Sequence, residues 1–301
     1  MLPLIVTMCC SAWAQSATAE SKSKLPSVTV PFFVLDGHGV PSSGFAKADL
    51  SVLDSNKREQ WIEAIHLSKE MPLRLGALID TSNSVAHNFA YAAAVQAVAD
   101  FLKQILTNPE DRAFLVSFSA LPQGTRFLTR DEVLSLKLDP PSGGGTALYD
   151  AVTLACMDRM KPDPAQPARR VLLLLSDGED NLSHVNRSVA IAAAQATGTV
   201  VFALDPGGFT AHEAGKKTLE AITQETGGRV FSFGSSKDIT KALAGLKEQI
   251  ETIYGVTFAP SELATPGKPH AIELKDMTDG KLKIRAPKAY FDASQPSATA
   301  P

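Results

Sequence analysis

The chain has 301 residues, of which 44% are hydrophobic, and its formal net charge is −3. A chain of this length and composition can bury a complete α/β core, so we expect one large globular domain with a small appendage. The basic residues form no stripe with interleaved aromatic side chains, which argues against a nucleic-acid partner, and after the first residues no apolar stretch is long enough to predict a membrane-spanning helix.

The first fourteen residues have the character of a secretion signal. Residues 1–14 hold an apolar run that ends in Ala12-Trp13-Ala14, the small-x-small pattern that signal peptidase cuts. No Lys or Arg precedes the run, so a buried N-terminal strand is the alternative. We expect the mature chain to start near Gln15, with a polar linker over residues 15–26, and to be secreted or held in the periplasm or cell envelope.

Two of the three cysteines lie inside this signal segment. Cys9 and Cys10 would be removed with it; cleavage as a lipoprotein is disfavoured because the preceding Met8 and Cys9 are larger than usual there. The remaining Cys156 falls in a predicted helix, and we expect a buried thiol that forms no internal disulfide.

Alternating polar and apolar residues predict short strands on both sides of the central region. The pattern covers residues 27–70 and returns over residues 255–291. We expect strands from the two segments to pair into one small antiparallel β unit beside the main sheet. The tail, residues 292–301, is rich in Ser, Ala and Pro and is predicted to be disordered.

Between these flanks, residues 71–254 alternate buried apolar strands with amphipathic helices. The predicted strands read LRLGALI, RAFLVSFS, RVLLLLS, TVVFALD and GRVFSF. The predicted helices cover residues 87–106, 146–160, 185–197, 211–226 and 237–254. This alternation predicts a doubly wound, mostly parallel sheet with helices on both faces.

Three loops of this region carry side chains with oxygen ligands. Asp80, Ser82 and Ser84 follow the first core strand, and in an extended segment alternate residues project to one side. Thr146 follows a run of glycines before a helix, and Asp177 follows the RVLLLLS strand. Because open α/β sheets bind ligands at the carboxyl ends of their strands, we expect these five side chains to converge.

An all-oxygen ligand set suits a hard divalent cation. Mg2+ is favoured, with Mn2+ or Ca2+ as alternatives, whereas an oxygen-only ligand set does not suit zinc or copper. Each motif alone has another explanation, because Asp and Ser are common in helix caps and turns, and a glycine run can be a flexible turn or an anion nest. Glu179 and Asp180 are predicted to be solvated loop charges. His87 and His184 are predicted to be surface residues, with a place on a ligand surface as the alternative.

Taken together, the three motifs resemble the metal-ion-dependent adhesion site of the von Willebrand factor type A domain. The resemblance rests on the D-x-S-x-S pattern, on GGGTALYDA and on LLLLSDGED, and it extends roughly over residues 72–254. It implies a Rossmann-like fold. It also implies that two serines and one threonine bind an ion through their hydroxyl oxygens, and that two aspartates act directly or through water. These residues are Asp80, Ser82, Ser84, Thr146 and Asp177.

The flanks also resemble those of a subgroup of secreted bacterial proteins with this domain. That resemblance rests on a leading V-x-V segment with a later D-x-x-G-x-P, and on the closing stretch KIRAPKAY. One departure is Asn83, where the family usually has glycine. Asn tolerates a left-handed backbone, so we expect the loop conformation to be kept.

Two classes of function remain, with a third as a variant. The resemblance implies a non-enzymatic adhesion or scaffold module, in which a partner protein's Asp or Glu completes the coordination of the ion. The alternative is metal-assisted hydrolysis, which needs a base and a substrate pocket. The sequence holds no G-x-S-x-G, H-E-x-x-H or P-loop motif and no second set of metal carboxylates, so we predict a binding module. A structural envelope protein with an inactive metal site is the remaining possibility.

Overall fold

The computed structural model describes residues 26–86, 89–135, 143–207, 213–261, 267–278 and 280–291. The predicted signal segment, nearly all of the linker, His87 and the predicted disordered tail lie outside these residues. The strands are β1 (Val28–Leu35), β2 (Leu50–Asp54), β3 (Trp61–Leu67), β4 (Leu73–Asp80), β5 (Arg112–Phe118), β6 (Pro122–Gly124), β7 (Arg169–Leu175), β8 (Val200–Asp205), β9 (Val230–Ser232), β10 (Tyr254–Ala259), β11 (His270–Asp276), β12 (Lys283–Arg285) and β13 (Ala289–Tyr290). The α-helices are α1 (Asn83–Ala86), α2 (Phe89–Ile105), α3 (Arg130–Leu134), α4 (Leu148–Leu154), α5 (Arg187–Ala196), α6 (Glu213–Glu225) and α7 (Ser236–Glu251). A π-helical segment, Ala155–Arg159, continues α4. No helix of the described ranges is long and apolar enough to cross a membrane.

The central sheet has the strand order β6-β5-β4-β7-β8-β9. Five of these strands run parallel, and the edge strand β6 runs antiparallel to β5. The two middle strands, β4 and β7, are buried at every position except Arg74 and Arg170. Such continuous burial is what a parallel strand needs when helices cover both faces of the sheet. The predicted doubly wound, mostly parallel sheet is confirmed.

Successive residues of each central strand enter two different hydrophobic cores. In β7, Val171, Leu173 and Leu175 pack in the core covered by α2 and α7. Leu172 and Leu174 pack in the core covered by α4, α5 and α6. When the five parallel strands are numbered by their order in the chain, they lie in the sheet in the order 2-1-3-4-5. The helices that follow β4 and β7 therefore lie on opposite faces of the sheet. This topology opens a crevice at the carboxyl ends of β4 and β7.

The two flanks of the chain form one antiparallel unit, as predicted. It contains two sheets, with the orders β12-β1-β10-β3 and β13-β11-β2, and their facing side chains share a third core. Strand β1 pairs with β10 and β12, and β2 pairs with β11, so every sheet joins N-terminal and C-terminal segments. The prediction did not anticipate that the unit would consist of two sheets.

Strand β1 connects this unit to the α/β core because both faces of its C-terminal half are buried. Val30 and Phe32 pack in the third core, whereas Phe33 and Leu35 pack in the core beneath α2 and α7. The ring of Phe33 lies 5.7 Å from that of Phe202 in the central sheet. The antiparallel unit and the α/β core therefore share a strand.

Candidate metal centre

The candidate centre lies at the carboxyl ends of the neighbouring strands β4 and β7. Ile79 and Leu175 are partners in the parallel register, so the residues that follow them, Asp80 and Ser176, lie side by side. Asp177 comes next in the chain. Asp80, the last residue of β4, is 0% exposed and Asp177 is 5% exposed, and such deep burial is unusual for aspartates.

The first loop folds Ser82 and Ser84 back toward Asp80. The N–H of Ser82 donates to Oδ1 of Asp80 at 2.9 Å, and the hydroxyl oxygens of Ser82 and Ser84 are 3.2 Å apart. The expected extended segment was wrong, because α1 begins at Asn83. A tight turn closed by the Asp80 side chain, followed by a helical turn, brings the hydroxyls together. Asn83 does not adopt a left-handed backbone. Among the described residues, Lys57 is the only non-glycine residue with a positive φ.

Two backbone hydrogen bonds join the first loop to the glycine loop. The N–H of Gly143 donates to the carbonyl of Thr81 at 2.9 Å, and the N–H of Asn83 donates to the carbonyl of Gly144 at 3.1 Å. Gly143 has φ +80°, and a Cβ at this position would lie 2.8 Å from Oδ1 of Asn83. The positive φ favours glycine here, whereas the Asn83 side chain could move away from a Cβ. The two hydrogen bonds hold the glycine loop beside the first loop. Thr146, which follows the glycines, is 2% exposed.

Asn181 holds Thr146 in place from the loop that follows β7. The N–H of Thr146 donates to Oδ1 of Asn181 at 2.8 Å, and its carbonyl accepts from the N–H groups of Asn181 and Leu182, both at 3.0 Å. Sequence reasoning missed this residue, because nothing in the local pattern distinguishes Asn181 from an ordinary loop asparagine. The structure thus brings all three predicted loops to one edge of the sheet.

Ser176 is a second residue that sequence reasoning missed. Its hydroxyl donates to Oδ2 of Asp80 at 2.7 Å and accepts from the N–H of Gly178 at 3.0 Å. Oδ1 of Asp177 accepts from the N–H of Glu179 at 3.1 Å. Oδ2 of Asp177 is buried and has no hydrogen-bond partner among the described residues. An unpartnered buried carboxylate oxygen is rare in a folded protein and points to a missing ligand.

Burial and neighbouring charge both shift the ionisation of groups at the candidate centre. Burial raises the pKa of Asp80 to about 6 against the opposing hydrogen bonds from Ser82 and Ser176, and the charge of Asp177 raises it further. Tyr91 donates its hydroxyl to the carbonyl of Asp80, and burial together with both carboxylates raises its pKa well above the usual value. Two buried negative charges beside each other are unfavourable without a compensating positive charge.

The residues present fit a hard divalent ion. In the described ranges, no three His, Cys, Asp or Glu side chains are grouped so as to hold a metal. The candidate centre instead combines two carboxylates with three hydroxyls, all of them oxygen donors of the kind that Mg2+, Mn2+ and Ca2+ accept. The buried Oδ2 of Asp177, which has no donor among the described residues, is the observation that fits a bound cation.

The acidic residues around the centre have structural roles. Asp180 was expected to be a solvated charge, but its Oδ2 accepts from the N–H of Tyr149 at 3.0 Å and from the hydroxyl of Ser183. It therefore satisfies an N–H group in the first turn of α4. Asp150 accepts from the backbone N–H of His184 at 3.0 Å and lies 2.8 Å from Nδ1 of that residue. The His184 side chain is 79% exposed, as expected for a surface residue.

Comparisons with known proteins agree with this architecture. The family model described as von Willebrand factor type A domain matches residues 75–245. A solved structure of proximal thread matrix protein 1 from the mussel byssus, with a zinc-occupied MIDAS motif, is 18% identical with a TM-score of 0.50, and the match covers 65% of this chain and 49% of that one. This chain thus spans about half the length of the mussel protein.

Two bacterial structures are also similar. A von Willebrand factor type A protein from Catenulispora acidiphila is 12% identical with a TM-score of 0.48, over 90% of this chain and 75% of that one. The pilus adhesin SpaC from Lactobacillus rhamnosus GG is 10% identical with a TM-score of 0.48, over 80% and 48% of the two chains. At these identities the likeness concerns the fold alone. A search among curated proteins found no match.

Proposed function

Because the chain belongs to the von Willebrand factor type A domain family, we propose that it is a metal-dependent protein-binding module. The proposed ligands of its divalent ion are the side chains of Asp80, Ser82, Ser84, Thr146 and Asp177. The observation that carries this proposal is the buried, unpartnered Oδ2 of Asp177 beside the second buried carboxylate of Asp80. Mg2+ is the proposed ion, with Mn2+ and Ca2+ as alternatives.

Charge and geometry together suggest the chemistry of the partner. Asp80 and Asp177 supply the negative charge of the centre, and the hydroxyls of Ser82, Ser84 and Thr146 are neutral donors. When bound, the ion supplies a Lewis-acidic position that accepts an oxygen from outside the protein. The proposed outside ligand is an Asp or Glu side chain of a partner protein, whose carboxylate matches this hard-oxygen environment. The contacts of Asn181 and Ser176 keep the protein groups in position for it.

The proposed site of action is outside the cytoplasm, in the cell envelope or the medium. This part of the proposal rests on the Ala12-Trp13-Ala14 pattern after the apolar N-terminal run. Intact-mass measurement of the exported protein should give an N-terminus at or within a few residues of Gln15. Recovery of the full-length chain from the cytosol alone would contradict the expectation.

The metal part of the proposal is tested by calorimetry. Mg2+ and Mn2+ should bind to the wild type, whereas Asp80→Ala and Asp177→Ala should give no binding heat. Asp205→Ala is the matched control, because Asp205 is also a buried carboxylate at the end of a parallel strand. Its oxygens already accept from the N–H of Gly207 at 2.9 Å and the hydroxyl of Ser232 at 3.2 Å. Equal binding by all four proteins would place the metal elsewhere.

The partner part is tested separately, with peptides of defined sequence. Partners captured from the envelope fraction in Mg2+ are identified, and their acidic segments are synthesised with Asp or Glu and with Asn or Gln at the same positions. The acidic peptides should bind in Mg2+ and be released by EDTA, and the amide peptides should not bind. Binding that is equally strong in EDTA would show that partners dock away from the centre. A phosphodiester-cleavage assay with Mg2+ or Mn2+ separates this module from a hydrolase.

A further inference from the structure

A cavity of about 530 Å3 lies where the antiparallel unit contacts the α/β core. Its lining comes from both parts of the molecule, since Val28 and Tyr290 belong to the antiparallel unit and Arg170 is the second residue of β7. The cavity therefore lies at the amino end of β7, whereas the candidate metal centre lies at the carboxyl end of that strand. Small-molecule sites have volumes of about 300–1,000 Å3 and are common where two parts of a fold meet.

Most of the cavity lining is apolar. Ile253 and Phe291 contribute to it, and five of the lining residues are prolines. A proline presents an apolar ring and has no backbone N–H to donate. The walls therefore suit an apolar body that makes few hydrogen bonds. The prolines are Pro31, Pro162, Pro164, Pro167 and Pro287.

Arg170 is the lining residue with hydrogen-bond donors to spare. Among the described residues its one acceptor is the carbonyl of Ala168, at 3.3 Å from Nη1. Arg169 also lines the cavity, but its Nε and Nη1 donate to the carbonyls of Met71 at 3.0 Å and Ile250 at 3.1 Å. Because a guanidinium group carries five N–H donors, most of those of Arg170 are left for a ligand.

The surroundings of Arg170 favour an anion. Arg170 is the register partner of Arg74 on β4, which is in turn the partner of Arg112 on β5, so three arginines lie side by side at this end of the sheet. Burial and then the charge of Arg74 lower the pKa of Arg170, whereas the charge of Asp163 raises it. The lining holds Arg169, Arg170 and Asp163 as its Lys, Arg, Asp or Glu residues, which leaves one positive charge in excess.

We propose that this cavity binds a small amphiphilic carboxylate, with the carboxylate on Arg170 and the hydrocarbon body against the proline-rich walls. A guanidinium group can donate two parallel hydrogen bonds to a carboxylate. The single excess positive charge matches a monovalent anion better than a doubly charged phosphate ester. Burial of the hydrocarbon body supplies the rest of the affinity. This binding is separate from the proposed metal-dependent function, because the two sites lie at opposite ends of β7.

The test is calorimetry in EDTA with three ligands, namely octanoate, 1-octanol and acetate. Octanoate should bind, 1-octanol should bind at least tenfold more weakly because it has no charge, and acetate should not bind because it has no apolar body. Arg170→Met should lose the preference for octanoate over 1-octanol. Arg112→Met is the matched control and should keep that preference. Arg112 belongs to the same row of arginines but is not among the described residues that line the cavity.

A second variant tests the apolar walls without changing any charge. Ala196 lines the cavity at the end of α5, and Ala196→Phe should weaken octanoate and 1-octanol alike because it fills part of the space. Unchanged affinity for both ligands in Ala196→Phe would place them elsewhere and overturn the proposal.

Four other outcomes would also overturn the proposal. The wild type could fail to bind octanoate, or it could bind octanoate and 1-octanol equally well. The preference for octanoate could persist in Arg170→Met, or disappear equally in Arg112→Met, which would mean a general effect of positive charge. Octanoate binding that appears only after removal of residues 292–301 would show that the chain itself fills the cavity, with the same consequence. Asp80→Ala should bind octanoate like the wild type, so failure of the metal centre and failure of this cavity are distinguishable.

Discussion

At the scale of single residues, the raised pKa of Asp80 links the proposed metal binding to the stability of the fold. Its pKa is about 6 in the folded protein, whereas the ordinary value is 3.8. Between these values the folded state retains a proton that the unfolded state has lost. Without metal, this group therefore favours folding below about pH 4, and that contribution disappears as the pH rises through 6.

The first prediction follows from this sign. In EDTA at pH 7.5, Asp80→Asn should be more stable than the wild type by up to about 3 kcal/mol, since each pKa unit corresponds to about 1.4 kcal/mol. The difference should shrink as the pH falls and vanish near pH 4. Saturating Mn2+ should reverse the order, because only the wild type gains binding free energy. Urea unfolding across this pH range measures the difference in stability between the two proteins. If Asp80→Asn were less stable than the wild type at pH 7.5 in EDTA, the prediction would be contradicted.

The second prediction concerns Thr146. Replacement by Ala removes one neutral oxygen ligand and no charge, so Thr146→Ala should weaken the metal less than Asp80→Ala does, and should weaken the acidic peptide more than the metal. Thr146→Ser retains the hydroxyl and should restore both interactions. Calorimetry with Mn2+ and then with the peptide measures the two effects. Identical behaviour of the Ala and Ser variants would show that the hydroxyl has no role.

At the scale of elements, a close approach between α6 and the loop after β7 positions Asp177. Gly178 has φ +81°, and a Cβ there would lie 2.2 Å from the carbonyl oxygen of Gly215. A Cβ on Gly215 would in turn lie 2.3 Å from the carbonyl oxygen of Asp177. The helix and the loop thus touch backbone to backbone, with no room for a side chain between them.

The third prediction is that Gly215→Ala separates these two elements. It should destabilise the fold by about 1–3 kcal/mol through overpacking and should weaken Mn2+ binding because the Asp177 loop shifts. Gly245→Ala is the matched control on α7, where the new Cβ would meet Phe231 and Arg229 at ordinary distances of 3.6 and 3.7 Å. This control should be neutral or up to about 1 kcal/mol more stable. Urea unfolding and calorimetry measure both variants; unchanged metal affinity in Gly215→Ala would refute the coupling.

At the scale of the whole molecule, the shared strand β1 makes the antiparallel unit and the α/β core interdependent. Phe258 of β10 is fully buried in the third core, and β10 lies between β1 and β3. Loss of packing at this C-terminal position should therefore affect strands near the N-terminus. The interdependence predicts one cooperative unfolding transition for the two parts.

The fourth prediction tests that cooperativity. Phe258→Ala should cost about 3–5 kcal/mol and should accelerate hydrogen exchange in Val28–Leu35 as well as in β10. Trp61→Ala is the control, because Trp61 lies on the neighbouring strand and is 72% exposed. The hydrogen-exchange pattern of this variant should resemble that of the wild type. Hydrogen exchange with mass spectrometry measures both. Faster exchange confined to the C-terminal strands would mean that the two flanks are independent.

The local pattern of polar and apolar residues was enough to predict the alternating strands and helices of the α/β core. The buried runs of β4 and β7 and the helices between strands were readable because continuous apolar strands and amphipathic periodicity are local properties. The pairing of the flanks was also predicted, since half-buried strands need partners. The short elements β6 and α3 were missed. Strand β6 has three residues and helix α3 has five, and neither is long enough to show a periodic pattern. For α3, the capping pair of Thr129 and Glu132 is the sequence signal that was available.

The sequence by itself determined which oxygen-bearing residues stand at strand ends, because the end of an apolar run marks the edge of the sheet. The tertiary structure alone decided how those residues are held. The bonds from Gly143 to Thr81, from Asn83 to Gly144 and from Thr146 to Asn181 join loops that are far apart in the chain. Such contacts form only after the sheet has placed its strands side by side, so no local pattern encodes them. The same holds for the unpartnered oxygen of Asp177, which becomes an acceptor without a donor only when packing excludes water.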